Sequence, residues 1–284
     1  MRRCFKHDAI VGLVGGAVIL WLMSRGSGAE LSVPVRAGLY GGSEIMFFKP
    51  FAEAGSVPNE ILMATGADDF LPAWRLWGGV VGDDGFGTRI RWWQYDQFSE
   101  NAEATSSRVV FQKLDWEFTQ QVSINRWDVL FSGGLTYVGN QVSETFSPAS
   151  LVDSALRFRF DGVGVTVGVQ ALRHSSLWPS ATLGGGIQWS GVYGNSVGMQ
   201  SDFFPRNFEQ RSLQGTTGSI LELAVGPRWE RDVGNGAVAF IGGNAEAQLW
   251  MTGLGATSYS LLALYARAGD VGLVGLTINA GIRR

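Results

Sequence analysis

The chain has one cysteine, Cys4, and two histidines, His7 and His174, in 284 residues. Without a second cysteine no internal disulfide can form, so an exported fold of this size must be held by another closed network of bonds. The same scarcity removes the His/Cys sets that hold zinc, and no spaced Asp/Asn/Gly loop of the calcium type occurs. No metal and no cofactor are expected. Gly184-Gly185-Gly186 lacks the Lys and Ser or Thr that complete a phosphate loop. Charge is sparse at 17%, and acids outnumber bases by 25 to 22, which argues against a nucleic-acid partner. Past residue 29 no apolar run approaches the roughly 20 residues of a membrane-spanning helix. There is also no Pro-rich linker or composition shift that would divide domains.

What is present starts with an N-terminal segment of secretory type. Arg2, Arg3 and Lys6 precede an apolar run from Ala9 to Met23, and small residues follow from Ser24 to Ala29. Residues 1–29 are therefore expected to be a signal peptide cut between Ala29 and Glu30. Residues 30–284 then form one domain with 18 basic and 24 acidic side chains, a formal charge of −6. Forty glycines, 17 phenylalanines and 11 tryptophans favour closely approached, curved sheets.

Alternation with period two recurs along this domain. In 108–124, Leu114, Trp116, Phe118, Val122 and Ile124 share one parity while Lys113, Asp115, Glu117, Thr119 and Gln121 share the other. The pattern returns in ten segments: 36–48, 73–82, 87–98, 108–124, 127–143, 162–174, 182–195, 219–231, 237–252 and 271–283. Several reach the roughly ten residues that a tilted transmembrane strand requires. Short connections (83–86, 125–126, 175–181, 232–236) alternate with long ones, including 49–72, 197–218 and 253–270. Short periplasmic turns alternating with long outer loops is the layout of an outer-membrane barrel. The expected fold is all-β, a single antiparallel transmembrane β-barrel of about ten strands, with eight or twelve as alternatives. Trp74, Trp92, Trp116, Trp127, Trp189, Tyr193 and Trp229 share the apolar parity and fit an interfacial girdle.

The run Leu71-Pro72-Ala73-Trp74-Arg75-Leu76-Trp77-Gly78-Gly79-Val80-Val81-Gly82-Asp83-Asp84-Gly85-Phe86-Gly87-Thr88-Arg89-Ile90-Arg91-Trp92-Trp93 resembles the first hairpin of the Legionella-type major outer membrane proteins and their planctomycete relatives. Further stretches are similar in order: Leu114 to Glu117, Ser132 to Tyr137, Phe160 to Thr166, Asn244 to Trp250 and Gly272 to Thr277. The resemblance implies a pore-forming barrel and carries no catalytic residues. One departure is the end Ile282-Arg283-Arg284, where such barrels commonly finish on an aromatic residue.

If the apolar parity meets lipid, the polar parity enters a lumen. The lumen and constriction candidates are Arg75, Arg89, Arg91, Lys113, Asp115, Glu117, Glu222, Arg228 and Glu246. Ten strands leave little room inside, so these charges must pair or hydrate. They make either an ion-pair ladder that plugs the barrel or a constriction that sets ion preference. Strand adjacency pairs Arg89 and Arg91 with Asp115 and Glu117.

The expected function is a narrow porin-like pore or structural barrel without catalysis, in the cell outer membrane. Its expected partners are outer-membrane lipid, the barrel assembly machinery and small ions or solutes. The alternative is a surface-binding barrel that acts through its long loops, with Phe203, Phe204, Arg206 and Phe208 as contact candidates. An outer-membrane hydrolase is the competing enzymatic class. His174 stands alone, Asp153 and Ser154 have no histidine beside them, and Asp68 with Asp69 reads as a solvated acidic pair.

Overall fold

The computed structural model describes residues 37–52, 69–100, 105–146, 154–175, 180–201, 208–254 and 269–284. The expected signal peptide and Phe203, Phe204, Arg206, Asp68 and Asp153 lie outside the described residues. Ten strands follow in chain order: β1 (Gly38–Ala52), β2 (Leu71–Val81), β3 (Phe86–Glu100), β4 (Thr105–Ile124), β5 (Trp127–Phe146), β6 (Ser154–His174), β7 (Ala181–Ser201), β8 (Phe208–Gly234), β9 (Ala237–Leu254) and β10 (Gly269–Arg283). Each pairs antiparallel with its neighbours, and β1 pairs with β10 from Tyr40↔Arg283 to Ala52↔Val271. The sheet is thus a closed barrel of ten antiparallel strands, as the alternation and segment count predict.

The β2–β3, β4–β5, β6–β7 and β8–β9 connections fall at one end of the antiparallel barrel, among them the two-residue turns at 125–126 and 235–236. Asn235 and Gly236 both have positive φ, 54° and 74°, between Gly234 and Ala237. That is the two-residue hairpin geometry whose twist matches the strands it joins, and it favours Asn-Gly. Asn125, with φ of 56°, serves the β4–β5 turn. At the β2–β3 turn, Gly85 N–H donates to the Gly82 carbonyl at 3.0 Å and Asp84 accepts from the Phe86 N–H.

The expected outer loop at 197–218 is corrected by the structure. Residues 197–201 continue β7, and 208–218 are the first part of β8, with Phe208 opposite Ser201. The sequence of 208–214 is largely polar, so this extension carries no apolar alternation to mark it as strand. Backbone pairing with β7 holds it instead, through a bulge at Gly194/Asn195.

Outward-facing side chains form an exposed apolar belt. Ile90 on β3, Trp116 on β4, Leu135 on β5, Val165 on β6, Val225 on β8 and Leu276 on β10 are each more than half exposed. Their inward neighbours are buried, among them Arg91, Asp115, Glu117, Thr136, Thr166 and Thr277. A soluble core is inverted in this arrangement, with greasy groups outside and charged groups within.

Small residues allow neighbouring strands to approach closely around the interior. A Cβ on the inward Gly134 would overlap the Trp116 carbonyl oxygen and lie 2.7 Å from the Glu117 Cα, whereas at Gly133 it would lie 3.7 Å from its nearest neighbour. Gly134→Val is expected to cost about 1–3 kcal/mol by overpacking, and Gly133→Ala less than about 0.5 kcal/mol. Urea unfolding midpoints of the two purified variants check this; equal midpoints would show that the strands are not in close contact at Gly134.

Candidate functional site

Three storeys of side chains fill the barrel interior, and the middle one is ionic. Arg75 on β2 points inward because it shares the parity of the buried Ala73, and it reaches three other strands. Its Nη1 donates to Glu44 of β1 at 2.6 Å, and its Nη2 donates to Glu246 of β9 at 2.6 Å and to Glu222 of β8 at 3.3 Å. Lys113 on β4 pairs with the same Glu222, four strands away around the wall, and lies 3.2 Å from Asp115. These two cations therefore span the lumen and do not merely decorate one side of it.

Register explains the adjacent pairs. Arg89 stands directly opposite Glu117 and Arg91 directly opposite Asp115. Arg89 Nε donates to Glu117 at 2.8 Å and Arg91 Nη2 to Asp115 at 2.7 Å. Arg91 also lies 3.6 Å from Glu222, joining the β3–β4 pairs to the cross-lumen set. Glu117 is fully buried. The burial is offset by shared partners: Arg75, Arg91, Lys113, Asp115, Glu117 and Glu222 each meet two or more opposite charges, while Glu44, Glu246 and Arg89 meet one and add hydrogen bonds with neutral side chains.

Neutral residues complete the layer, and sequence reasoning did not select them. Gln188 of β7 donates from Nε2 to Asp115 at 3.2 Å and to Glu117 at 3.1 Å. Thr277 Oγ1 and Gln248 Nε2 donate to Glu246, both at 2.9 Å. Their inward parity was the available signal.

Above this layer, toward the loop end, the interior turns apolar. Met46, Phe48, Trp93, Tyr95, Phe111, Val138, Phe160, Ile220, Trp250 and Leu273 form one buried cluster. Ring centroids of Trp250 lie 5.2 Å from Trp93 and 5.0 Å from Phe111. These residues sit on the inward parity of strands that carry polar and charged groups lower down, so the interior is an ionic layer beneath an apolar plug.

The storey at the turn end is more open. Arg228 belongs here and not with the constriction candidates: its guanidinium stacks 4.4 Å from the Phe240 ring centre and lies 3.9 Å from Glu230. Trp77 stacks on Phe240 at 5.8 Å. His174 Nε2 is 2.8 Å from Asp128 Oδ2, and Ser123 Oγ donates to the other oxygen of the same carboxylate. In a nucleophilic triad the imidazole stands between hydroxyl and carboxylate. Here the carboxylate stands between, so His174 does not activate Ser123. Among the described residues no group of three His, Cys, Asp or Glu side chains could hold a metal ion.

No protein-family model matches the chain, and no curated protein matches it. Among solved structures it is similar to a major outer membrane protein from Thermus thermophilus, at 11% identity, with 88% of this chain and 100% of that chain covered and a TM-score of 0.44. It is also similar to the outer membrane protease OmpT from Escherichia coli, at 9% identity over 87% and 93% of the two chains, TM-score 0.41. The CymD monoaromatic hydrocarbon channel aligns at 11% identity over 84% and 67%, TM-score 0.34. At these values no role is carried from them to this chain.

Arg75→Met would leave Glu44, Glu222 and Glu246 without their shared cation. A loss of about 3–5 kcal/mol is expected at neutral pH, the cost of breaking a buried pair from one side. Arg75→Lys, which keeps a cation on β2, should recover part of that loss. Urea unfolding of the wild type and both variants measures this, and equal losses from the Met and Lys changes would mean that lost packing, not stranded charge, dominates.

Proposed function

We propose that the protein is an integral outer-membrane β-barrel of porin-like, non-enzymatic type, whose conduit is held shut by its own lumenal ion pairs. The inversion of the fold carries this reading: an apolar belt faces outward all round a closed sheet while charged side chains are buried inside. Lipid is the surrounding that such an outer surface suits, and a closed barrel leaves no unpaired backbone edge in it. The pore-forming family that the hairpin at 71–93 resembles supports the same reading, as does the secretory character of residues 1–29. The alternation of turns and longer connections supports a periplasmic turn end.

Closure follows from the width of the layer. Arg75 and Lys113 cross it to reach Glu222, and the apolar plug covers it on the loop side. Five carboxylates (Glu44, Asp115, Glu117, Glu222, Glu246) meet four cations (Arg75, Arg89, Arg91, Lys113), so the layer holds one excess negative charge. A conduit opened through it prefers cations.

Two experiments test the proposal. Val165→Arg, a charge placed on the outward belt, is expected to lower folding stability in lipid vesicles by about 2–4 kcal/mol. The same change in a soluble barrel would be nearly neutral, and a neutral result would remove the membrane reading. In planar bilayers the wild-type protein should remain closed for long intervals with brief small steps, and Arg75→Ala combined with Trp250→Ala, which also thins the apolar plug, should open more often with cation selectivity. Large steady wild-type conductance would show that the ion pairs do not close the lumen. Equal silence from both inserted proteins would make the barrel structural.

A further inference from the structure

Outside the barrel, near the loop end of β4, β5 and β6, the outward surface changes character row by row. The register sets Trp116–Leu135–Val165 in one row across the three strands and Leu114–Tyr137–Val163 in the next. Then come Gln112–Gly139–Asp161, Val110–Gln141–Arg159 and Arg108–Ser143–Arg157. Within three rows an apolar wall becomes one with three arginines. The Arg159 row stands four residues beyond Leu114, about 13 Å along the strand and roughly 10 Å in height at a tilt near 40°. That is the depth at which a lipid headgroup follows its hydrocarbon.

A recess of about 250 Å³ lies here, lined by Arg108, Gln112, Gln141, Arg157, Arg159 and Asp161 around Gly139. The Gln112 side chain lies over Gly139 at its floor, where an added Cβ would come 2.5 Å from Gln112 Nε2. The arginines around it are held in place and retain unused donors. Arg108 gives Nε and Nη2 to the two oxygens of Asp96, at 2.9 and 2.7 Å. Arg159 gives the same two nitrogens to Asp161, whose Oδ1 also accepts from the Tyr137 hydroxyl at 2.9 Å. Arg157 gives Nη2 to Gln141 at 3.1 Å. A guanidinium has five N–H groups in a fixed fork, more than these bonds to described residues use. Three cations against Asp96 and Asp161 leave the patch one positive charge in excess, on a chain whose overall charge is negative.

We propose that this recess binds the phosphate of a membrane lipid headgroup, with Arg157 and Arg159 as its principal donors. Arginine forks match phosphate oxygens two at a time, and the recess opens directly above the surface that would meet that lipid's acyl chains. Asp96 and Asp161 act as positioning residues, holding guanidinium planes that would otherwise rotate freely. The proposal rests on the membrane reading above.

The test uses the full barrel refolded into phosphatidylcholine vesicles with and without phosphatidic acid, then released in detergent and weighed by native mass spectrometry. Insertion is scored separately by protease protection in the vesicles. Wild type is expected to retain phosphatidic acid, and the Arg157→Ala/Arg159→Ala double variant to retain at least tenfold less while still inserting. Arg173→Ala, an outward arginine at the turn end, should retain as much as wild type. Inorganic phosphate in excess separates the two sources of the same chemistry: retention unchanged assigns the site to lipid, and displacement by free phosphate overturns that assignment. Equal retention by the inserted wild type and double variant overturns the proposal and leaves the membrane reading standing. Failure of the wild type to insert overturns both.

Discussion

The pairing of β1 with β10 is the constraint on which the rest of this molecule depends. A ten-stranded sheet with open edges would present rows of unbonded backbone groups; closure satisfies them and at the same time sets how far apart opposite walls can be. The resulting bore is narrow enough for one arginine on β2 to touch carboxylates on β1, β8 and β9. Wall width and side-chain length are therefore matched, and the ionic layer acts as a set of struts across the lumen. Partners shared between charges, with hydrogen bonds from neutral side chains, offset the desolvation that an isolated pair could not.

The two faces of the wall then answer different demands. Outward positions need only be apolar at mid-height, and valine, leucine and isoleucine supply that with little regard to fit. Inward positions must fit one another, so the interior shows specific contacts: Gln188 between two carboxylates, Trp250 between Trp93 and Phe111, Gly134 under Trp116 and Glu117.

Much of this is legible in the sequence wherever a strand keeps one parity for its whole length. On β4 the alternation of Leu114, Trp116 and Phe118 with Lys113, Asp115 and Glu117 identifies both the strand and its faces, and adjacency is enough to bring Arg89 to Glu117 and Arg91 to Asp115. Legibility ends where the periodic signal changes meaning. Val109 and Phe111 continue the inward parity of Asp115 but are apolar, and Phe158 and Phe160 do the same on β6. A rule that equates apolar with outward assigns no place to such residues, although the switch of parity along one strand is itself visible. The extended ends of β7 and β8 look like loop in sequence because above the belt neither face needs to be greasy. Backbone pairing, which composition does not encode, holds them. Arg228 shares a parity with Glu222, which groups it with the constriction on paper, while height along the strand places it beside Phe240.

The vertical order inside the barrel also makes its two ends unequal. On the loop side Phe48, Trp93, Phe111 and Trp250 seal the interior, whereas toward the turns Gln170 of β6 is exposed and His174, Arg228 and Arg283 are only partly covered. Among the described residues the ionic struts are therefore capped unequally: aromatic rings cover them on the side of the β1–β2 and β9–β10 connections, and partly covered polar side chains lead away from them on the other.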